Sequence, residues 1–445
     1  MATAKRYMGF VSLAAASGLV LSGCAATTET SSTSSASTGG TEASADQKVL
    51  QFWAFGDMGL GDLIAEYEEM NPDIKINMKV SDFDPHHQGL LTSLDSAAPD
   101  IAAIEVGYSS LFKAVAGKFT DLADYGAADV AGDYLDWRWN HGVDLDGRVF
   151  GIPTDVGPMT ICYRSDLFAE AGLPTDRDEV SALWPTWEDF IAVGEQYVAA
   201  TGNKFLSSTG YVWNAVKNQS TEKFYSADGS SLIYETNPQI QKAWDLSVAA
   251  TPIAANIGDW TADWNAGMNN GAYAVLTCPA WMMGYIQGQA PDLAGAWDVA
   301  TMPEGGGNWG GSQLTVPARA QYPEEAAKFI LWILSAENQL KLFKASGQFP
   351  STLAAYEDAE LLAFESEYFN NAPVGAIYTA GALKLKPIFE GKKQRAIDNI
   401  FGQALSRVAL KKQTAAAAWQ QAMDGERARV IDGVTATLRR RNARW

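Results

Sequence analysis

The sequence predicts an α/β protein built as two lobes, and three observations support this fold class. Strand-like and helix-like segments alternate between residues 49 and 115, which is typical of a parallel sheet with helical crossovers. A second block of strands and helices follows residue 155. Between the blocks, prolines and glycines surround Asp155, as expected where the chain passes from one lobe to the other. About 400 residues follow the N-terminal segments, which is enough for two domains of ordinary size.

The first block reads as strand, helix, strand, helix, strand. Its strands are predicted at 49–53, 74–80 and 101–106, and its helices at 60–67, 86–94 and 109–115. The second strand shows clean alternation of apolar and polar residues, and a proline after residue 71 ends the first helix. In open parallel sheets, ligands bind beyond the carboxyl ends of the strands. Those positions hold Trp53, Glu105 and the loop that contains Asp57.

The segment 146–174 holds a carboxylate between two apolar runs. The runs are 149–152 and 159–163. Pro153, Gly157 and Pro158 restrict the backbone between them, so the position of Asp155 is fixed. We predict that Asp155 contacts a ligand beside a hinge. The alternative is an ordinary turn with a solvated aspartate.

The second block also mixes strands with helices. Its strands are predicted at 272–278, 297–302 and 312–316, and its helices at 186–199, 281–286, 323–334, 358–369, 396–410 and 414–423. Thr186 and Asp189 have the spacing of a capping box, and Pro323 suits the first turn of a helix. This block is therefore predicted to form the second α/β lobe.

The N-terminus has the order of a bacterial lipoprotein signal. Lys5 and Arg6 precede an apolar run over 8–21, which is too short for a comfortable membrane span. The sequence Leu-Ser-Gly-Cys at 21–24 resembles the bacterial lipobox, which implies cleavage before Cys24 and a lipid on that cysteine. The alternative is an ordinary secretory signal with a chance cysteine.

The chain ends are expected to lie outside the folded lobes. Residues 1–23 are predicted to be the signal peptide, and 24–46 a lipidated cysteine with a flexible linker of Ala, Ser, Thr, Gly and Glu. The basic residues within 436–445 are predicted to form a frayed tail.

The charge of the chain disfavours two classes of partner. Net charge is −19, and becomes −21 when the two basic residues of 1–23 are removed. A chain this acidic is repelled by nucleic acid and by anionic membrane surfaces. The charge does not select a ligand.

Cys162 and Cys278 each end an apolar run that reads as a strand. If those strands are neighbours in one sheet, the two thiols can form a disulfide outside the cytoplasm. Two buried free thiols are the alternative.

Five stretches of the chain carry a family resemblance. They are 146–174 (DGRVFGIPTDVGPMTICYRSDLFAEAGLP), 184–190, 271–286 (GAYAVLTCPAWMMGYI), 302–317 (MPEGGGNWGGSQLTVP) and 324–350. Together they resemble the family 1 extracellular solute-binding proteins of ABC importers, over residues 48–425. The resemblance implies a two-lobed periplasmic-binding-protein fold of type II. It also implies a hinge of several chain crossings, near 154–156, 310–312 and 351–356.

The resemblance further implies lobe boundaries, a ligand class and a partner. The N-terminal lobe would comprise 47–155 and 312–355, and the C-terminal lobe 156–311 and 356–435. Most of this branch of the family binds sugars, so a carbohydrate ligand is implied. The membrane permease of an ABC transporter is the implied partner.

Aromatic side chains are candidates for stacking on a sugar, because a sugar ring presents C–H groups on its faces. Four tryptophans at predicted loops or strand ends are candidates: Trp53, Trp213, Trp281 and Trp309. Trp281 matches the stacking tryptophan of the family. The alternative for each is a packing role. Trp260 and Trp264 are four residues apart and are predicted to share one helix face.

Carboxylates suit the hydroxyl groups of a sugar, because each can accept hydrogen bonds from two adjacent hydroxyls. Asp57, Glu105 and Asp155 are the candidates. Asp57 is equally suited to cap the helix that starts near residue 60, and Glu105 to pair with a cation. Further candidates rest mainly on predicted loop positions: Tyr108, Asn214, Gln348 and Tyr378.

Other chemistries lack the necessary residues. His86 and His87 are adjacent on a predicted helix and point apart, and His141 is distant, so no metal site is predicted. The glycines at 305–307 lack the lysine of a phosphate loop. A glycoside hydrolase would need an acid and nucleophile pair, for which no motif is found. No cofactor is predicted.

The sequence therefore predicts a monomeric, lipid-anchored receptor on the extracytoplasmic face of the cell membrane. It would capture a sugar, with an oligosaccharide favoured, and deliver it to the permease. It is not predicted to be an enzyme. Two alternatives remain at this point: the same fold binding a cationic solute such as a polyamine, and a secreted carbohydrate-active enzyme.

Overall fold

The computed structural model describes residues 47–56, 58–227 and 231–424. The predicted signal peptide, Cys24, the linker, Asp57 and the basic tail lie outside these residues. The strands are β1 (Lys48–Phe55), β2 (Ile74–Ser81), β3 (Ile101–Glu105), β4 (Ile152–Pro153), β5 (Asp155–Val156), β6 (Met159–Arg164), β7 (Val275–Pro279), β8 (Trp297–Ala300), β9 (Ser312–Thr315) and β10 (Phe349–Pro350).

Helices precede, connect and follow these strands. They are α1 (Gly61–Met70), α2 (Phe83–Ser93), α3 (Val106–Lys113), α4 (Asp136–Trp139), α5 (Ser165–Glu170), α6 (Arg177–Ala182), α7 (Trp187–Thr201), α8 (Gly210–Asn218), α9 (Pro238–Ala249), α10 (Ala262–Asn270), α11 (Ala280–Gln289), α12 (Pro323–Ile333), α13 (Ala336–Ser346), α14 (Ala359–Leu362), α15 (Val374–Ala382), α16 (Gln394–Ala409) and α17 (415–424). Short 3-10 helices lie at Ala116–Lys118, Leu122–Tyr125, Ala127–Asp133, Asn140–Gly142, Thr251–Ile253, Pro291–Leu293 and Leu353–Glu357. In the described ranges, none of the helices combines the length and apolarity needed to cross a membrane.

The first sheet has the strand order β2-β1-β3-β9-β4. β1 pairs parallel with β2 and β3, which confirms the parallel sheet predicted for the first block. β9 returns from much later in the chain and pairs antiparallel with β3, so Glu105 lies opposite Ser312. The carboxyl end of β3 therefore adjoins the start of β9.

β1 alternates between two apolar layers. Leu50, Phe52 and Ala54 are buried in a core shared with α12, while Phe55 packs against α2 on the opposite face. β1 continues to Phe55, so the prediction that Trp53 ends this strand is wrong. Trp53 instead lies on the sheet face, where the ammonium of Lys79 on β2 approaches its ring centroid to 5.6 Å.

The second sheet has the order β7-β6-β8, and both pairings are antiparallel. Every residue of the central strand β6 is buried, since helices cover the sheet on both faces. Cys162 on β6 and Cys278 on β7 form a disulfide with a Cα–Cα distance of 5.3 Å. The two cysteines therefore lie on neighbouring strands, which was the condition set for a disulfide in the sequence analysis.

Two chain segments connect the sheets, from β4 to β6 and from β8 to β9, and a third segment around β10 packs beside them. β5 pairs antiparallel with β10, and the backbone N–H of Thr154 donates to the carbonyl of Ser312 at 2.8 Å. The hydroxyl of Ser351 donates to the carbonyl of Pro153 at 3.2 Å. The segments predicted as crossings therefore lie side by side. The boundaries of the two predicted lobes stay a prediction.

Several helices differ from the sequence-based expectations. The capping box of Thr186 and Asp189 is confirmed at the start of α7. α8 and α15 were not predicted, and the helix expected at 358–369 is limited to α14. α10 begins after Thr261, which caps it, so Trp260 does not share a helix face with Trp264.

Candidate ligand-binding site

Asp155, the acid of the first crossing, is buried and bonded to the second crossing. Its carboxylate accepts hydrogen bonds from the hydroxyl of Thr154 and, at 3.0 Å, from the N–H of Ser312. The guanidinium of Arg138 donates to the backbone carbonyls of Asp155 and Ser312. Burial raises the pKa of Asp155, while the Thr154 hydrogen bond and the Arg138 charge oppose that rise. Asp155 thus fastens the crossings together, and its contact with a ligand stays a prediction.

Three tryptophans meet beside the second crossing, and we call them the tryptophan cluster: Trp260, Trp281 and Trp309. The indole N–H of Trp281, at the start of α11, donates to the backbone carbonyl of Trp309 at 2.8 Å. The Trp309 ring stands edge-on to Trp281, with centroids 5.6 Å apart and an interplanar angle of 82°. Trp260 stacks on Trp281 at 5.9 Å and 28°. The cluster therefore joins two sequence-predicted residues to one that sequence reasoning placed elsewhere.

Three further aromatic side chains pack against the tryptophan cluster. Tyr211 of α8 stands edge-on to Trp309 at 5.6 Å. Trp264 of α10 is fully buried and lies 4.8 Å from Trp260, and Tyr285 of α11 lies 5.3 Å from the same ring. Three helices thus fix the position of these rings before any ligand binds.

Two glycines let the crossing segments approach the cluster. Gly310 has φ +89°, and a Cβ there would come within 2.9 Å of the Trp281 indole nitrogen. At Gly157, a Cβ would lie 1.9 Å from the carbonyl oxygen of Trp309. Neither position has space for a side chain, which explains the glycines at both crossings.

The start of α11 also touches elements attached to the first sheet. A Cβ on Gly284 would lie 2.2 Å from the carbonyl oxygen of Ser346, at the end of α13. The next loop holds Gln348, whose amide donates to the carbonyl of Met58 in the loop after β1. The tryptophan cluster therefore lies near the junction of both sheets, and Gln348 belongs to that junction.

Two glutamates define a second, polar part of the site, and we call them the acid pair. Glu105 caps α3, and its carboxylate accepts from the N–H of Gly107 at 2.7 Å. Glu390, in the loop before α16, is 8 % exposed and pairs through Oε1 with the buried ammonium of Lys223 at 2.6 Å. A Cβ on Gly107 would lie 3.0 Å from Glu105 Oε2 and 3.8 Å from Glu390 Oε2. Both carboxylates thus flank the same glycine.

The acid pair can accept further hydrogen bonds. Within the described residues, the buried Oε2 of Glu390 has no hydrogen-bond partner. Burial, followed by the charge of Glu390, raises the pKa of Glu105 to about 7. An unpaired buried carboxylate oxygen is costly, so a donor placed between these groups would be stabilised. The pair can receive a hydroxyl or an ammonium group.

The hydroxyl of Tyr108 is used within the protein. It donates to Asp84 at 2.7 Å, and the Tyr108 ring stacks on His87 at 4.0 Å. Arg395 of α16 also reaches the Asp84 carboxylate, at 3.1 Å. The Tyr108 side chain therefore connects helices on the first sheet to α16, next to the acid pair.

The histidines on α2 serve packing. A ring nitrogen of His86 bonds the carbonyl of Ala103, and one of His87 bonds that of Phe83. Burial lowers the pKa of His87 to about 3. Across the described ranges, no group of three or more His, Cys, Asp and Glu side chains is arranged to hold a metal.

Four predicted candidates make their contacts with residues outside the tryptophan cluster and the acid pair: Trp53, Trp213, Asn214 and Tyr378. Trp213 was expected in a loop but lies on α8, 4 % exposed, with its ring 5.1 Å from Phe401 in the core. Asn214 shares that helix and accepts from Asn218. Tyr378 is fully buried on α15, and its hydroxyl contacts Thr160 and the Cys278 carbonyl. The predicted loop placement of Trp213, Asn214 and Tyr378 is wrong.

Sequence reasoning missed Trp260, Lys223, Glu390 and Arg395. Thr261 supplied a usable signal for the first, because a threonine that caps a helix leaves the preceding residue outside it. The other three are brought to the site by tertiary contacts alone, and no local motif marks them.

Two sheets joined by chain crossings, with an aromatic cluster and a pair of acids beside the junction, are the arrangement expected of a solute-binding protein. The chain belongs to the bacterial extracellular solute-binding protein family, which it matches over residues 62–366. Members of this family are binding proteins of ABC importers and not enzymes. The family resemblance read from the sequence is confirmed.

Known proteins agree with this assignment. The chain is 40 % identical to a crystal structure described as an extracellular solute-binding protein of family 1, with a TM-score of 0.74, covering 84 % of this chain and 98 % of that one. It is 26 % identical over 376 residues to the arabinooligosaccharide-binding protein of Bacillus subtilis (strain 168), covering 79 % of this chain and 82 % of the relative.

A third comparison concerns the fold alone. The ABC transporter associated binding protein from B. animalis subsp. lactis Bl-04, solved in complex with beta-1,6-galactobiose, is 22 % identical with a TM-score of 0.74. It covers 85 % of this chain and 97 % of that one. The expected type II periplasmic-binding-protein fold is confirmed.

Proposed function

We propose that this protein binds a neutral oligosaccharide beside the junction of its two sheets and delivers it to an ABC transporter permease. The observation that carries the proposal is the tryptophan cluster, in which helices hold an exposed ring next to the chain crossings. Aromatic faces suit the C–H faces of sugar rings. A preformed surface of this kind also lowers the entropy that binding costs.

The acid pair supplies the complementary polar chemistry. Sugar hydroxyls can donate to the unpaired Oε2 of Glu390 and to Glu105. A ligand with phosphate or carboxylate groups would meet like charge there, which disfavours sugar phosphates and uronic acids. Aromatic faces and acceptors beside the same junction therefore favour a neutral, hydroxyl-rich ligand.

The names of relatives support a sugar ligand. The arabinooligosaccharide-binding protein of Halalkalibacterium halodurans is 27 % identical over 308 residues, and the lactose-binding protein of Rhizobium radiobacter is 26 % identical over 283 residues. Both names denote ligands of two or more sugar units. We extend that ligand class to this chain.

The proposal includes an anchor at the membrane. The lipobox-like sequence at 21–24 supports a lipid on Cys24, and a relative from Streptomyces antibioticus is named a lipoprotein. Two or more acyl chains would hold the protein stably at the extracytoplasmic face. We propose that it acts there as a monomer.

Isothermal titration calorimetry of the mature chain, with Cys24→Ser to keep it in solution, tests the ligand class. The panel contains neutral mono-, di- and trisaccharides, a uronic acid and a polyamine. We expect saturable binding of a neutral di- or trisaccharide and no binding of the uronic acid. Binding of none of the neutral sugars contradicts the proposal.

A cationic ligand is the second candidate, because the acid pair would also accept an ammonium group. A polyamine has no ring face, so it would leave the tryptophan cluster unused. Binding of the polyamine without binding of any sugar would establish this alternative.

A further inference from the structure

The three rings of the tryptophan cluster differ in what they offer a ligand. Trp260 is 51 % exposed, whereas Trp281 and Trp309 are only partly exposed. Trp260 stacks on the Trp281 ring, and Trp309 stands edge-on to it. The indole N–H of Trp281 is bonded to the Trp309 carbonyl. Trp281 therefore has little free surface and no free donor.

The backbone of Trp260 adopts an unusual conformation. Its φ is +64°, in the left-handed region that bulky residues rarely occupy. Such a conformation costs free energy and persists where the surroundings impose it, often at ligand sites. A glycine would adopt this φ without strain. A tryptophan at this position therefore lowers the stability of the fold, and the indole is the group gained.

Polar groups surround the exposed ring. Asp259 precedes Trp260, and one of its carboxylate oxygens accepts from the Ser208 hydroxyl at 3.1 Å. Beside Trp264, the hydroxyl of Tyr285 donates to Asn265 at 2.8 Å. An exposed ring whose neighbour in the chain is a carboxylate suits a sugar residue, which has both apolar faces and hydroxyl donors.

We propose that Trp260 presents the ring face on which the sugar stacks, that Trp281 supports the Trp260 ring, and that Trp309 supports Trp281. This inference rests on the proposed sugar-binding function and assigns the stacking role to a different residue from the one that the family resemblance indicates. Stacking on Trp260 also extends the site outward from the junction, toward solvent.

The variant Trp260→Gly tests whether Trp260 contacts the ligand or only packs within the protein. Glycine relieves the backbone strain and so offsets part of the packing lost with the ring's contacts to Trp264, Trp281 and Tyr285; we expect the variant to remain folded, with a cooperative urea transition. We expect its affinity for the sugar identified by calorimetry to fall at least 10-fold. Trp260→Phe, which keeps an aromatic face, should lose less. Trp332→Ala removes a partly exposed tryptophan on α12 and should leave affinity unchanged.

Chemical footprinting provides a measurement on the wild type itself. N-bromosuccinimide oxidises exposed indoles, and mass spectrometry of peptides locates the modified residues. We expect Trp260 to react readily and a saturating sugar to slow its oxidation at least 5-fold. Sugar binding that leaves both the oxidation of Trp260 and the affinity of Trp260→Gly unchanged overturns the inference. A wild type that binds no sugar contradicts the proposed function instead.

Discussion

At the scale of single residues, the structure separates side chains that complete the protein from side chains that remain available to a ligand. Asp155 and Tyr108 were both predicted to contact ligand, yet their polar groups bond Ser312 and Asp84. Glu390 retains a buried carboxylate oxygen without a partner in the described part of the chain, and Trp260 retains an exposed ring face. A hydrogen-bonding atom without a partner, or an exposed ring face, identifies a candidate ligand contact better than residue type does.

Glu105 should make stability depend on pH. Its folded pKa of about 7 lies above its ordinary value, so the folded state keeps a proton that the unfolded state releases. Its contribution to the free energy of unfolding is full below about pH 4.5 and declines by about 1–3 kcal/mol as pH rises through 7. Glu105→Gln mimics the protonated form, so its stability relative to wild type should increase between pH 5 and 8.

Urea denaturation of both proteins at several pH values checks this expectation. Because burial lowers the pKa of His87, acidification reduces the protein's free energy of unfolding. This reduction occurs in both proteins and cancels in their difference. The matched control is Glu188→Gln, an exposed acid on α7, for which the difference should stay constant. A difference for Glu105→Gln that does not change with pH would contradict the account.

Which residues could be predicted depended on local signals. Trp281 and Trp309 were predictable because a motif and a glycine-rich crossing mark them. Trp213 and Tyr378 were misplaced because α8 and α15 carry no clear stop or start signal, and helix formation there depends on packing. Glu390 and Lys223 are separated by 167 residues, and no sequence pattern reports that their side chains meet in the fold.

At the scale of elements, α16 connects the second sheet's core to helices on the first sheet. Phe401 and Leu405 of α16 pack in the core around β6, while Arg395 at its start pairs with Asp84 of α2. In the adjoining loop, the carbonyl of Glu390 accepts from the hydroxyl of Ser110 on α3. These contacts span the predicted lobes and would break if a hinge at the crossings opened.

Breaking the Asp84–Arg395 pair should favour an open form. Both side chains are partly exposed, 37 % and 41 %, so the pair contributes less than about 1 kcal/mol. We expect Arg395→Ala to increase the radius of gyration of the ligand-free protein in small-angle X-ray scattering and to weaken sugar binding by less than about 5-fold.

A second ion pair serves as the matched control. Lys242 and Glu304 are exposed to a similar degree, 35 % and 30 %, and both lie within the predicted C-terminal lobe. Lys242→Ala should leave the radius of gyration unchanged. Equal effects of the two substitutions, or no effect of either, would argue against α16 as a contact that holds the predicted lobes together.

Elements with strong periodicity were predictable, and the shortest strands were not. β2 alternates along its length and was predicted within one residue at its end. β4, β5 and β10 have two residues each, too few for any pattern, and they form because the crossings pair with one another. The hinge strands therefore depend on tertiary structure, although prolines and glycines marked where they lie.

At the scale of the whole molecule, the disulfide ties β6 to β7 across 116 residues of chain. Closing a loop of this length restricts the unfolded chain and stabilises the folded state by about 2–5 kcal/mol. We expect reductant to lower the urea midpoint of the wild type. The doubly substituted Cys162→Ala, Cys278→Ala protein should start from that lower midpoint and not respond to reductant. A wild-type midpoint that reductant leaves unchanged would contradict this expectation.

Family resemblance predicted the architecture more completely than residue patterns did. Patterns gave the parallel part of the first sheet, but not that β9 and β4 return to complete it, since those strands come from distant chain segments. The resemblance supplied the type II fold and the three crossings. Neither the residue patterns nor the family resemblance indicated which side chains from distant chain segments meet. The acid pair forms through such a contact.

The central claim is that a neutral oligosaccharide binds beside the junction of the two sheets. A crystal structure of the mature chain with the tightest-binding sugar of the calorimetric panel tests it most directly. We expect a sugar ring stacked on Trp260 and a hydroxyl within hydrogen-bond distance of Glu390 Oε2. A sugar bound elsewhere on the protein, in contact with neither the tryptophan cluster nor the acid pair, would contradict it.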